Sequence, residues 1–294
     1  MFVKYKYQLI LHVIVLVWGV TGILGDHINL TSSKIVFFRT LIAFVSLLFI
    51  GLFIKQVKKL TLSQILKISG VGVIVGLHWF TFFYSIKVST ISIGVVCMSL
   101  TTLFVALIEP IIFKRKISLT EILISVFILI GIIIIFGFEY QYVEGILVGV
   151  FSALMAAIFS VINGQLIKTV SSFSITKYEM LGATLVSVVI MCFSGEINSD
   201  LIIVSVENGM SLLFLGLVCT TAAFMISVWV MKFLSPFTVS VSINMEPIYT
   251  IIIAVLLVPE KEKMTLGFYL GGAVIIGAIF TNAYLKRKRK VQTV

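Results

Sequence analysis

Apolar runs near or above the roughly 18 to 20 residues needed to cross a bilayer recur along this whole sequence. Ten can be marked, at approximately 8–25, 34–54, 66–86, 90–113, 119–138, 143–167, 174–193, 209–232, 236–258 and 264–285. They leave no room for a soluble domain, and the connectors are mostly short, so the sequence predicts a single all-α bundle of transmembrane helices. Composition agrees, because 60% hydrophobic and 12% charged residues over 294 positions cannot supply the polar surface of a water-soluble ball. Several runs carry their own end marks: "KQVKKLTLSQ" after the second, "KRKIS" after the fourth, "EINSD" after the seventh and "KRKRK" after the tenth. The first run follows Lys4 and Lys6, but "VWGVTGILGD" offers no small-residue cleavage site, so it reads as a retained helix and not a signal peptide.

Lysine and arginine set the expected orientation, since positively charged connections stay on the cytoplasmic side. With the N-terminus inside, the inner segments collect Lys4, Lys6, Lys55, Lys58, Lys59, Lys67, Lys114, Arg115, Lys116, Lys168, Lys177, Lys232 and the basic cluster 286–290. The outer segments keep Lys34, Lys87, Lys261 and Lys263, together with Asp26, Glu139, Glu144, Glu196, Asp200, Glu207, Glu260 and Glu262. Both termini are thus expected in the cytoplasm, in a multi-pass protein of the inner (cytoplasmic) membrane. The formal charge of +10, which in a soluble chain would suggest nucleic acid, here reflects topology and attraction to anionic headgroups; no nucleic-acid partner is expected. Cys97, Cys192 and Cys219 lie within spans without metal-ligand spacing, so they read as small packing residues and no metal is expected.

The second half of the chain echoes the first. "YSIKVSTISIGVVCMSLTTLFV" (84–105) lies over "WVMKFLSPFTVSVSINMEPIYT" (229–250), so that Lys87 meets Lys232, Cys97 meets Ser242, Ser99 meets Asn244, Thr101 meets Glu246 and Phe104 meets Tyr249. A five-span unit repeated once must sit in opposite orientations, because five is odd. The expected division is 1–140 and 141–294, the second unit ending in a basic cytoplasmic tail. Inverted repeats of this kind build transporters whose substrate site lies at the repeat interface near mid-membrane.

These features resemble the ten-span EamA-type transporters of the drug/metabolite transporter superfamily. The resemblance covers nearly the whole chain and rests on "LVWGVTGIL" (16–24), "FFRTLIAF" (37–44), "FFYSIKVSTISIG" (82–94), "EPIIFKRKISLTE" (109–121) and "VMKFLSPFTVSVSINMEPIYTIIIAVLLVPEKEKMTLG" (230–267). It implies a central cavity between the halves and export, sometimes uptake, of small polar metabolites or drugs. One departure is visible: the family's usual proline in the fourth span is Thr102 here, whereas Pro247 keeps it in the ninth.

Ionisable groups inside a span are costly and usually face a cavity or a partner. Glu246 in "SINMEPIYT" lies about ten residues from either end of its span, roughly 15 Å by helix rise and close to the midplane. Pro247 removes an N–H and clashes with the carbonyl of Ile243, which predicts a helix break facing protein or water and not lipid. Glu246 is therefore expected to bind a cationic substrate group or a coupling proton, flanked by Asn244 and Tyr249, against the alternative of a structural hydrogen bond. Glu109 is expected to turn toward Lys114, Arg115 or Lys116 at the inner surface. Arg39 sits a short way inside the second span, where its guanidinium can reach headgroups or substrate. His78 and Phe82 share one helical face with Trp79 beside them, and Trp18, Trp229 and Asn163 can line a cavity or pack among helices. "GVIVG" (72–76), "GILVG" (145–149) and "GFYLG" (267–271) are small-xxx-small patterns that permit close helix approach.

Enzyme readings find little support. There is no H-E-x-x-H, no glycine-rich phosphate loop and no G-x-S-x-G, and His12, His27 and His78 fall at different depths. The expected function is alternating-access transport of small metabolites or drugs, with amino acids and related compounds as candidates, export as the direction and a proton as coupling ion. The partners are then a small molecule, the bilayer and that proton, with no cofactor and with monomer and homodimer both open. The alternatives are a lipid or lipid-linked-sugar flippase and, from another class, a membrane-embedded enzyme or sensor.

Overall fold

The structure, a computed structural model, describes residues 2–54, 59–198, 201, 203–257 and 265–291. Lys55, Lys58, Asp200, Glu260, Lys261, Glu262 and Lys263 of the orientation argument lie outside the described residues, as do the side chains of Lys4 and of the 286–290 cluster. Among the described residues there is no strand.

Six of the ten expected spans are single helices: α1 (Phe2–His27), α2 (Ser32–Phe53), α3 (Leu62–Val88), α6 (Leu119–Phe138), α7 (Val143–Leu166) and α8 (Ser172–Phe193). Serine and threonine start three of them, for a physical reason: their side-chain oxygens accept from orphan N–H groups of the first turn, each worth about 1 kcal/mol. Thr61 does this in a reciprocal box with Gln64, and Thr31, Thr90, Ser171, Ser205 and Ser235 cap other starts.

Three spans are interrupted. The fourth is α4 (Ile91–Cys97) and α5 (Thr101–Phe113), joined by a 3₁₀ turn at Met98–Leu100. The eighth is α9 (Val206–Phe214) and α10 (Ala223–Val230), joined by a π-helical stretch at Leu215–Ala222. The ninth is α11 (Pro236–Ile243) and α12 (Glu246–Leu257), broken at Asn244–Met245. The tenth is α13 (Leu266–Val291), whose sequence turns basic after Leu285. Among the described residues, eight segments are long and apolar enough to cross a membrane by length and composition.

Packing is inside out relative to a soluble protein. Phe193 is 90% exposed and Leu52 79%, whereas Arg39, Thr40, Ser85, Glu109, Ser152, Asn163, Glu179 and Thr220 are buried. Apolar side chains on the outside and polar ones inside suit a lipid solvent, and the chain is an all-α, multi-pass membrane protein. The helices pack as α3 on α7 and α8, α2 on α8, α5 on α7 and α6 on α13. The small-xxx-small patterns sit at these seams: a methyl at Gly72 or Gly76 would collide with α8, at Gly145 or Gly149 with Ser89 or Cys97, and at Gly267 or Gly271 with α6. Cys97 and Cys219 are buried as expected of packing residues, but Cys192 is exposed on the outward face of α8.

Candidate functional site

The two breaks in the fourth and ninth spans coincide under the repeat, since Met98 and Leu100 correspond to Ile243 and Met245. They also touch: Asn244 Nδ2 donates to Thr102 Oγ1 at 3.0 Å. Beside this crossing lies a cavity of about 90 Å³, lined from both halves. Trp18, Thr21, Arg39, His78, Trp79, Phe82, Met98 and Thr101 come from the first, and Phe159, Ser160, Asn163, Phe224, Ser227 and Glu246 are among those from the second.

Glu246 is the first residue after the ninth-span break, and Pro247 occupies the first turn of α12, where a missing N–H costs nothing because that N–H would have no helical partner. The Glu246 carboxylate lines the cavity and has no hydrogen-bond or ion-pair partner among the described residues.

Arg39 corrects one expectation. Its guanidinium does not reach the headgroups; it is 1% exposed, lies 4.2 Å from the Trp79 ring centroid, and donates from Nε and Nη2 to Thr220 Oγ1 at 3.1 and 2.9 Å. The π-helical stretch makes this possible. Thr220 and Thr221 each donate to the carbonyl five residues back, Leu215 and Gly216, which leaves the Thr220 lone pairs free to accept from Arg39. The same stretch presents the Cys219 carbonyl to Trp18 Nε1 at 2.9 Å. Arg39 Nη1 is buried with no partner among the described residues.

His78 is likewise placed on the cavity wall. Ser152 has one hydroxyl proton, and its oxygen stands 2.8 Å from the His78 carbonyl, which only a donor can satisfy. His78 Nδ1, 2.9 Å from that hydroxyl and 3.1 Å from the Ser152 carbonyl, is then an N–H donor, and Nε2 has no hydrogen-bond partner among the described residues. Phe159, Phe224 and Trp79 complete an aromatic wall, with ring centroids 5.4 Å from His78 to Phe159 and 5.6 Å from Trp79 to Phe224.

The chain matches the EamA-like transporter family over residues 6–137 and again over 143–284. It belongs to that family. The EamA-like chain is also 26% identical over 277 residues to a curated protein of Bacillus subtilis (strain 168) named "Uncharacterized transporter YdfC", covering 92% of this chain and 88% of that one. A protein of known crystal structure superposes with a TM-score of 0.67 at 14% identity, covering 94% of this chain and 96% of the other, a likeness of fold alone. The family and the transporter-named relative identify a membrane transporter in general.

Of the residues singled out from the sequence, Glu246, Arg39, His78, Trp79, Trp18 and Asn163 come together around the cavity of this EamA-like protein. Asn244 and Tyr249 do not flank the carboxylate there. Asn244 gives its Nδ2 to Thr102 while its Oδ1 is buried without a partner among the described residues, and Tyr249 packs its Cβ beside Gly19 with the Leu11, Val15 and Val230 cluster. Trp229 packs against Tyr7 and Phe233, away from the cavity. Glu109 does pair with Arg115, at 3.2 Å, and its other oxygen holds a helix start: Oε2 accepts from the Phe237 N–H at 2.8 Å, capping α11. Thr220 and Glu179 are functional candidates that the sequence alone does not bring forward. An isolated acid within "SITKYEMLGATLV" is the available signal for Glu179; nothing local marks the π stretch.

Proposed function

We propose that this chain is a secondary transporter that exports small metabolites or drugs across the cytoplasmic membrane by alternating access, coupled to protons. The observation that carries the reading is a central cavity, walled by both halves, that holds the Glu246 carboxylate and the Arg39 guanidinium, with no direct hydrogen bond or ion pair between them among the described residues. Opposite charges that share a cavity without direct contact leave room for a ligand that bridges them. Glu246 suits an ammonium group or a proton, Arg39 suits a carboxylate, and the Trp79, Phe159 and Phe224 rings suit an apolar body. Amino acids and related zwitterions carry all three features. The lysine and arginine distribution supports cytoplasmic termini, with Asn163 toward the inner and Arg39 toward the outer side.

Purified protein in liposomes, offered a panel of labelled amino acids, amines and drugs with and without an imposed proton gradient, tests this. Gradient-dependent movement of a zwitterion is expected. Movement of a labelled lipid with none of the panel would replace the reading with a flippase.

A further inference from the structure

Glu179 is 0% exposed in α8, seven residues from its start, and Asn163 is equally buried near the end of α7. Both stand about 10 Å or less, by helix rise, from the α7–α8 connection. Asn163 Nδ2 approaches Glu179 Oε2 at 3.4 Å, a long bond, and Glu179 Oε1, Asn163 Oδ1 and Thr176 Oγ1, the last one turn away on α8, are all buried without partners among the described residues.

Among the described residues no cation compensates this carboxylate. From α3, Lys67 is exposed, His78 is held by Ser152, Tyr84 by Glu144, and Lys87 donates to the Ile28 carbonyl. From α2, Lys34 lies at the far end of the helix and Arg39 is bound to Thr220. α10 carries no titratable group. On α8 itself Lys177 lies 4.5 Å over the Tyr178 ring, and no described ion pair reaches Glu179. Close packing at Gly72 and Gly182 closes the α3 side, where a methyl would meet the Glu179 and Ser69 backbone. An ionised carboxylate in such a place costs several kcal/mol after relaxation, and unfilled acceptors add to it.

We propose that Glu179, with Asn163 and Thr176, is a second proton-binding site of the transporter, separate from Glu246 and reached from the cavity past Asn163. One proton on Oε1 removes the charge and converts an orphan acceptor into a donor for a neighbouring orphan oxygen. Asn163 lines the cavity, so cavity water delivers the proton as hydronium and takes it back, leaving the carboxylate. The proposal rests on the transport reading and deepens it: one carboxylate on the cavity wall and a second behind Asn163 allow two protons per cycle.

Infrared difference spectra of purified protein in lipid nanodiscs, without substrate, between mildly acid and mildly alkaline buffer, test the site directly. The carbonyl stretch of a protonated carboxyl group is expected, with one component lost in Glu179→Gln and kept in Glu246→Gln. Asn163→Leu, which removes the amide that donates to Glu179, should shift that component and not abolish it. If Glu179→Gln gives no folded protein, the Asn163→Leu shift decides. A spectrum unchanged by Glu179→Gln, a component unmoved by Asn163→Leu, or a component that answers to sodium and not to pH overturns the proposal. A chain that shows this component yet moves no metabolite in any gradient fails the transport reading and leaves the proton site standing.

Discussion

The fourth and ninth spans are broken at the same repeat position, yet they carry opposite equipment. At the fourth, the residues after the break are Thr101 and Thr102, two hydroxyls; at the ninth they are Glu246 and Pro247, an acid and an imino acid. The fourth span breaks with no proline in its turn, so a proline is not required to interrupt a helix at this crossing. The charge is likewise placed once. Two carboxylates facing each other across the Asn244–Thr102 contact would repel, so the scaffold is symmetric where backbone matters and asymmetric where chemistry matters.

The largest effect is expected from removing that asymmetry. Glu246→Gln should abolish the dependence of transport on the proton gradient and lower zwitterion transport about tenfold or more, as loss of a charge-assisted bond worth about 1.5 to 3 kcal/mol requires. Folded yield should hold, because the carboxylate has no bond to lose among the described residues. Thr101→Val at the mirrored position should leave most activity. Equal losses in the two variants, measured in proteoliposomes at matched yield, would erase the functional difference between the halves.

How much of this is legible in the sequence follows the same division. The apolar runs and the glycine seams are written in composition and spacing, and Pro247 announces the ninth-span break. The fourth-span break carries no such mark, because "CMSLTT" is compatible with a continuous helix and departs from it through tertiary contact. The π stretch is equally silent in "LGLVCTTA". Arg39 departs from its expected place because depth along a span says where a side chain starts and not which neighbour claims it; Trp79 and Thr220, distant in sequence, hold it inside. Asn244 is two residues from Glu246 in the chain, yet the helix break carries it to Thr102.

The contact between the breaks should give the next largest effect. Thr102→Val leaves the buried Asn244 amide without its acceptor, a cost of about 1 to 3 kcal/mol, visible as a lower melting temperature in detergent. Adding Asn244→Leu removes both partners and should recover most of the loss, because a matched apolar pair replaces a half-satisfied polar one. A double variant no better than the sum of the singles would mean that the two breaks are not energetically joined.

A smaller change is expected at the C-terminal end of the fourth span, where Glu109 caps α11. Glu109→Gln keeps an oxygen for the Phe237 N–H and gives up only the charge facing Arg115, itself also held by Glu121 at 2.7 Å. Stability should fall by about 1 kcal/mol or less, with most transport retained. Complete loss of transport at unchanged expression would place this carboxylate on the substrate path and give the first half a charge of its own.

The smallest effect is expected from Pro247→Ala, which makes the ninth span resemble the fourth in lacking a proline at its break. In an unbroken helix interior a proline costs about 3 kcal/mol, so replacing it there would be strongly stabilising. Here Pro247 already sits in the first turn of α12, where its missing N–H is no loss and its fixed φ suits the helix start, so alanine gains little and loses little. The control is Val75→Pro in the middle of the continuous α3, which should prevent folding. If packing sets the break, Pro247→Ala keeps transport and its melting temperature stays near that of the parent. If the proline sets it, alanine lets α11 and α12 join, Asn244 is carried away from Thr102 and Glu246 from the cavity, and transport falls as far as in Glu246→Gln while stability rises. The sign of the stability change therefore separates the two causes even where activity alone cannot.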